Sequence, residues 1–307
     1  MGIRVTDIAF VGFRAPDLDQ MRSYMEDFGA IHVPTTDNDM LYMRAADRSP
    51  FVHVTERGDP AFRMLGLRAA SVEDLHDLAA SEGRAVEPLD MPGGGYRLDL
   101  TDPDGFTVRV IAGQAEVEPL AIGDAVSWNS AQVRPRIGSF RRSEKGPARL
   151  ARIGHCVLNV TDYARSAAWY RSRFGLLVSD QIEPEPGLAV GAFLRCDRGD
   201  TPTDHHTLFL LQSPTAPSFN HAAFEVADLD SLFLGRDRLL GQQREPEWGP
   251  GRHILGSQVF DYWKDPWGHV LEHWTDGDLL TADDPPGTAN LEVLLGVQWG
   301  MPWPGRG

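Results

Sequence analysis

Two imidazoles and a carboxylate can hold a metal from one side, and this chain offers such a set in His155, His221 and Glu272. His221 and Glu272 lie in the stretches 219–226 (FNHAAFEV) and 260–273 (FDYWKDPWGHVLEH), which His155 can join from a third strand. A facial set of two histidines and one carboxylate leaves coordination positions open, the arrangement of non-haem Fe(II) oxygen chemistry. The triad is therefore a candidate iron site.

The elements that must position these residues occur twice along the chain. Residues 153–162 (IGHCVLNVTD) echo 8–17 (IAFVGFRAPD), each a strand running into an aspartate that can cap a helix. The helices that follow end in Phe28-Gly29 and Phe174-Gly175, with one extra residue in the second copy and glycine where a left-handed cap is expected. Residues 219–232 match 62–75, where Ser71 and Asp74 resemble a capping box. A third match joins DPWGHVLE at 265–272 to DPDGFTVR at 102–109, a turn leading into an apolar strand. Two helices per half, each followed by short strands, read as paired βαβββ units, each a curved sheet with a concave face. On this alignment His155 falls opposite Phe10, His221 opposite Met64 and Glu272 opposite Arg109. Only the second copy carries three metal-binding groups, which are costly to bury without a partner.

Composition narrows the classes further. The 307 residues suffice for about two domains, and 42% hydrophobic content with a mean hydropathy of −0.30 fits a globular enzyme. A net charge of −15 argues against nucleic acid, whose phosphates it would repel. No run approaches the ~18 apolar residues of a membrane span, and the first ten residues hold no apolar leader core. Cys156 and Cys196 have no paired spacing, so no disulfide framework is expected, Cys156 reads as plain core, and the expected location is cytoplasmic. The stretch from Gly113 to about Ala148, with Pro119, Pro135 and Pro147 and a basic cluster at 141–145, reads as a connection. Beyond Asp276 the chain reads as an irregular arm packed on the second domain.

With these motifs in view, the chain resembles the two-domain (type I) extradiol ring-cleavage dioxygenases of the vicinal oxygen chelate superfamily, which open 2,3-dihydroxybiphenyl and other catechols. The resemblance covers almost the whole chain, and its specific motifs lie in the second half. It implies an α+β fold of tandem βαβββ modules forming two barrel-like domains. The expected division is 1–113 for a domain without metal, 114–148 for a linker, 149–276 for the catalytic domain and 277–307 for the arm. It makes His155, His221 and Glu272 ligands of Fe(II), with Mn(II) as the other suitable ion.

Three further matches carry the resemblance. His205-His206-Thr207 places His206 fifteen residues before His221, where the family has its acid–base histidine. Gly251-Arg252-His253 matches a motif whose histidine approaches the substrate hydroxyls, nineteen residues before Glu272. Tyr262 lies ten residues before Glu272, where the family has a tyrosine that hydrogen-bonds the catecholate. The chain departs from the family after that motif, with Ile254-Leu255-Gly256-Ser257 where Asn or Asp is frequent. The implied reaction is extradiol cleavage of a catechol by O2, giving a semialdehyde or keto-dienoate, with His206 moving protons and His253 and Tyr262 orienting the hydroxyls. The resemblance also implies a homo-oligomer.

Two other functions are compatible with parts of the pattern. Glyoxalase-like lyases and epimerases of the same fold use Ni, Zn or Co with a fourth protein ligand and a glutamate base. Metal-free antibiotic-sequestering modules lack the triad. The remaining histidines have structural readings: His32, His53 and His76 lie in the first copy, and on a strand His269 and His273 point away from the metal. Trp263 and Trp267 read as packing residues, and Leu255, Val259 and Trp263 as an apolar wall of the substrate pocket.

Overall fold

A computed structural model describes residues 2–123 and 127–305; parts of the expected linker (124–126) and arm (306–307) lie outside the described residues. The first half runs β1 (Val5–Ala15), α1 (Leu18–Phe28), β2 (Ile31–Val33), β3 (Met40–Arg44), β4 (His53–Arg57) and β5 (Ala61–Ala69). It continues with α2 (Val72–Ser81), β6 (Glu87–Pro88), β7 (Tyr96–Thr101) and β8 (Thr107–Ala112). The second half repeats the plan with β9 (Leu150–Val160), α3 (Tyr163–Phe174), β10 (Leu177–Ile182), β11 (Gly191–Arg195), β12 (Thr203–Asp204) and β13 (Leu208–Gln212). Then come β14 (Ser218–Val226), α4 (Leu229–Gly241), β15 (Glu245–His253), β16 (Val259–Lys264) and β17 (Val270–Thr275). The chain closes with β18 (Leu279–Leu280), β19 (Gly287–Ala289), α5 (Leu291–Leu294) and β20 (Val297–Gly300).

Each half is thus a pair of βαβββ units, as the repeats predict. The first sheet has the order β2-β3-β4-β1-β5-β8-β7-β6, and the second has β10-β11-β13-β9-β14-β17-β16-β15 at its centre. The helix ends follow the predicted chemistry. Asp17, Asp162 and Asp228 accept from backbone N–H groups at the first turns of α1, α3 and α4, and Gly29 and Gly175 close α1 and α3 in left-handed conformation. At α2 the Ser71 hydroxyl accepts from the Asp74 N–H and donates to the Asp74 carboxylate. The helices have 11 and 12 residues, which is where the second copy's extra residue sits.

The helices cover the convex faces, and one core runs through both halves. It includes Phe28, Leu65, Val110, Cys156, Tyr170, Phe224 and Trp263. Polar contacts lock the halves together: Arg238 and Arg244 both bind the buried Asp27, Tyr170 donates to Asp102, and His273 Nε2 donates to the Phe28 carbonyl at 2.7 Å. His273 therefore points away from Glu272, as the strand alternation requires. His269 bonds Asp265. Both cysteines are free and buried.

The arm is not irregular. β19 pairs with β10 and β20 with β15, so it extends the second sheet to ten strands and covers both of its otherwise open edges. The sequence hid this because strands of three and four residues carry almost no alternation to read. No helix among the described residues is long and apolar enough to cross a membrane.

Candidate metal centre

Strands β9, β14 and β17 lie side by side in the second sheet. Ala223 of β14 is the register partner of both His155 on β9 and Glu272 on β17, so those two side chains flank a methyl group on one face. His221, two residues before Ala223, projects from the same concave face, with Val157 and Val270 as its partners. Their ligand atoms all lie within 4.8 Å of one another. Period-two alternation sends Cys156, Ala222 and Leu271 the other way, into the core.

The electrostatics fit a cation. His155 is 2% exposed and Glu272 is wholly buried. Both Glu272 oxygens and His155 Nδ1 are buried without a hydrogen-bond partner among the described residues. His155 Nε2 and His221 Nε2 come to 3.2 and 3.4 Å from Glu272 Oε2, converging on one point without hydrogen-bond alignment. Burial pushes the Glu272 carboxyl up, but the His155, His221 and His253 rings around it outweigh this and hold it well below the usual carboxylate range. Burial lowers the His155 imidazole against the pull of Glu272, which keeps a neutral ring with a lone pair to give. A buried carboxylate on which two imidazole nitrogens converge is a donor set that a cation would complete. His221 is oriented by Asn220, whose Oδ1 accepts from His221 Nδ1 at 2.8 Å, freeing Nε2 for the cluster.

The three other predicted residues surround the same space. His206, 3% exposed, lies tilted against His155 with ring centroids 4.0 Å apart. Burial first, then the neighbouring His155 and His205, lowers its imidazole far below the usual range. His253 Nε2 lies 3.0 Å from the Tyr262 hydroxyl, and Tyr262 is the register partner of Glu272 on β16. Burial and the Glu272 charge push the Tyr262 phenol well up, so it remains a donor.

A cavity of about 230 Å³ opens in front of the triad. Its walls include His155, His206, His221, His253 and Tyr262, together with Phe193, Phe209, Leu255, Trp248, Leu294 and Trp303. Of the wall expected from sequence, Leu255 is present, but Val259 and Trp263 are in the core: they point from β16 to the face opposite Tyr262. Trp303 and Leu294 come from the arm, and Trp248 Nε1 donates to the Met301 carbonyl at 2.8 Å, fastening the arm over the cavity. The alternation about Tyr262 would have sorted Trp263 correctly from sequence; the arm's contribution had no local signal.

The strand ladders superimpose one half on the other. Phe10 faces Gly66, and Gly66 faces Arg109, as His155 faces Ala223 and Ala223 faces Glu272. By the same registers Phe51 corresponds to His206, Tyr42 to Phe193 and Asp99 to Tyr262. The aligned pairs of the sequence are therefore equivalent positions in space.

Comparison with known proteins agrees with this geometry. Residues 152–273 match the model of the Glyoxalase/Bleomycin resistance protein/Dioxygenase superfamily. The chain is 28% identical to Metapyrocatechase 2 of Cupriavidus necator over 302 residues, covering 96% of this chain and 89% of the relative. It is also 28% identical to biphenyl-2,3-diol 1,2-dioxygenase of Paraburkholderia xenovorans, covering 88% and 87%. Among solved structures, the Mn(II)-bound glyoxalase of Novosphingobium aromaticivorans superposes with a TM-score of 0.78 at 26% identity, covering 98% of this chain and 93% of that one. Residues 152–273 are thus similar to the Glyoxalase/Bleomycin resistance protein/Dioxygenase superfamily, and nearly the whole chain is similar to a metapyrocatechase and a biphenyl-2,3-diol dioxygenase.

Proposed function

We propose that this chain is an extradiol dioxygenase that opens a catechol ring beside its hydroxyls with O2, giving a semialdehyde or keto-dienoate. The observation that carries the reading is the convergence of His155, His221 and Glu272 beside a cavity that His155, His206, His221, His253 and Tyr262 line. His155, His221 and Glu272 would hold Fe(II), with Mn(II) an equal fit to the donors. When bound, the metal supplies Lewis acidity toward the catechol hydroxyls and the electron chemistry that activates O2.

The chain's own groups do the rest. The Tyr262 hydroxyl donates to a catechol oxygen, and His253 Nε2 accepts or shares the hydroxyl proton. His206 moves a proton at Nε2 during ring opening. The apolar walls exclude water and receive the ring, and holding the reactants in one site removes most of the entropic cost of their encounter. The domain without ligands, 1–113, serves as a packing partner for the catalytic domain, 149–276, with 114–148 as linker and 277–307 as the arm that caps the cavity. A cytoplasmic homo-oligomer is part of the same reading.

The alternative is a glyoxalase-like lyase or epimerase, favoured by the name of the Novosphingobium structure. Against it, the cluster has three ligands and no fourth among the described residues. Glu247, a carboxylate on the cavity wall, is held 2.6 Å from the Lys264 ammonium. Anaerobic loading with Fe(II), then addition of 2,3-dihydroxybiphenyl or 3-methylcatechol in air, decides between them. A yellow ring-fission product is expected. No product from a panel of catechols, with tight Zn or Ni and lyase activity on a thiohemiacetal, overturns the dioxygenase reading.

A further inference from the structure

One line of polar contacts leads away from the cavity. His206 Nδ1 lies 3.1 Å from His205 Nδ1, and His205 Nε2 lies 2.7 Å from Asp180 Oδ2. A carboxylate only accepts hydrogen bonds, so His205 carries its proton on Nε2. A neutral His205 then presents Nδ1 as a lone pair, and only a proton on His206 Nδ1 can meet it. His206 is left with an unprotonated Nε2, which has no protein partner among the described residues, in a ring that lines the cavity.

We propose that Asp180 and His205 are positioning residues that fix His206 as its Nδ1–H tautomer, with Nε2 turned to the cavity as the proton-accepting atom. Protons enter and leave at Nε2, while the Nδ1 proton stays on His206 throughout. The imidazolium formed in between keeps its bond to His205, which the Asp180 carboxylate orients. The tautomer follows from the hydrogen-bond geometry with a single proton on the His205 ring; its use in turnover rests on the ring-cleavage reading.

The packing around the pair is built to admit it. Gly256, at φ +74°, lies against the His205 ring, where a Cβ would stand 3.0 Å from Nδ1. Gly287 on β19 is the register partner of Asp180, and a Cβ there would collide with Asp180 Oδ1. The His205 backbone N–H is tied to the Asp278 carbonyl at 3.0 Å. The first half has Val33, Pro50 and Phe51 at the positions of Asp180, His205 and His206, none able to relay a proton. The relay occurs only beside the metal cluster, and its glycine at 256 stands where the sequence departs from the family pattern.

The test is ¹⁵N-histidine NMR of the metal-free and the Zn(II)-loaded chain, zinc serving as a diamagnetic occupant. His206 is expected to show a protonated Nδ1 and an unprotonated Nε2. Asp180→Asn, whose amide can offer an N–H to His205, should move much of that proton to Nε2, and His205→Phe should abolish the single-tautomer pattern. In the Fe(II)-loaded enzyme, Asp180→Asn should lower kcat on a catechol by about 10–100-fold, with KM and iron content near wild type. An Nε2–H tautomer in the wild type, or a tautomer unchanged in both variants, overturns the proposal. Loss of the ring-cleavage reading would instead appear as no catechol turnover in the wild type, with the NMR result unaffected.

Discussion

The two concave faces of this molecule share a backbone and differ in what fills them. In the first, Phe10, Tyr42, Phe51 and Val54 close on one another, with Phe10 and Phe51 at 5.0 Å and Met64 packed alongside. Arg109 is neutralised by two 2.7 Å bonds to Asp99. In the second, the equivalent positions hold His155, His206, His221 and Tyr262 around an open cavity, with Glu272 buried behind His155 and His221. A face that fills itself with aromatic rings and pairs its charge internally is complete as a core. A face that leaves a carboxylate and an imidazole nitrogen without partners requires a ligand to complete it. The central registers match rung for rung, so the difference lies in the side chains those strands present and in the arm that closes over the second face.

The largest break in that comparison is Glu272→Gln. Turnover should fall by more than about a thousandfold, as expected when several kcal/mol of metal-supplied stabilisation is lost. The rise in Tm that the wild type shows on adding metal should disappear in the variant, because a neutral amide replaces the anionic ligand. Thermal melts with and without metal read the effect. An unchanged rise would mean that Glu272 does not hold the metal, and the contrast between the two faces would lose its basis.

Phe10→Ala attacks the other face. Phe10 is wholly buried, and Gly66 opposite it has no Cβ to fill the gap. The cost should be about 3–5 kcal/mol in urea denaturation, with iron binding retained in the folded fraction. A cost under about 1 kcal/mol would show that the first face is not the closed core described.

His53 offers a pH probe. Its counterpart by register is Leu208, yet it is fully buried, stacked on Phe13, and neither ring nitrogen has a partner among the described residues. Burial pushes its imidazole from 6.5 down to about 4, with the nearby Asp265 opposing and His269 adding to the shift. The folded state therefore holds His53 neutral. Stability is full above pH 6.5 and drains as pH falls toward 4, because the unfolded chain takes up the proton first. The full loss is about 3 kcal/mol. His53→Leu should remove its share of that slope, measured as unfolding free energy between pH 7 and 4, while His273, also pushed by burial to about 4, keeps its own; an unchanged slope would place the acid sensitivity elsewhere.

These contrasts show what was legible in the sequence. The duplication, the helix caps at Asp17, Asp162 and Asp228, the glycines closing α1 and α3, and the three converging ligands are local features whose spacing survives in one dimension. Asp180, Asn220 and Trp303 act through contacts across 25, one and 55 positions. Asp180 and Trp303 reach their partners only once the sheet and the arm have assembled. Asn220 is adjacent to His221, and a β-bulge between Phe219 and His221 lets both turn toward the cavity, an irregularity no alternation rule anticipates. Trp263 packs in the core, as its reading as a packing residue expects; placing Val259 and Trp263 in the cavity wall ignored the alternation about Tyr262.

The smallest effect concerns the shape of the open face. No lysine or arginine is among the described residues lining the cavity, and Leu255, Phe193, Phe209 and Leu294 give it an apolar interior. Such a wall favours a catechol with an alkyl or aryl substituent, since a carboxylate there would lose water without gaining a partner. Leu255→Ala exposes the space of about three carbon atoms, worth roughly 1–2 kcal/mol of apolar contact. KM for an alkyl- or aryl-catechol should rise about 5–20-fold, while unsubstituted catechol, too small to reach that wall, changes by less than about twofold. Because Leu255 only partly closes the cavity, its removal should cost far less stability than Phe10→Ala. Equal KM changes for both substrates would show that the substituent does not meet Leu255, and the apolar wall would then be a remnant of the packing that closes the first face.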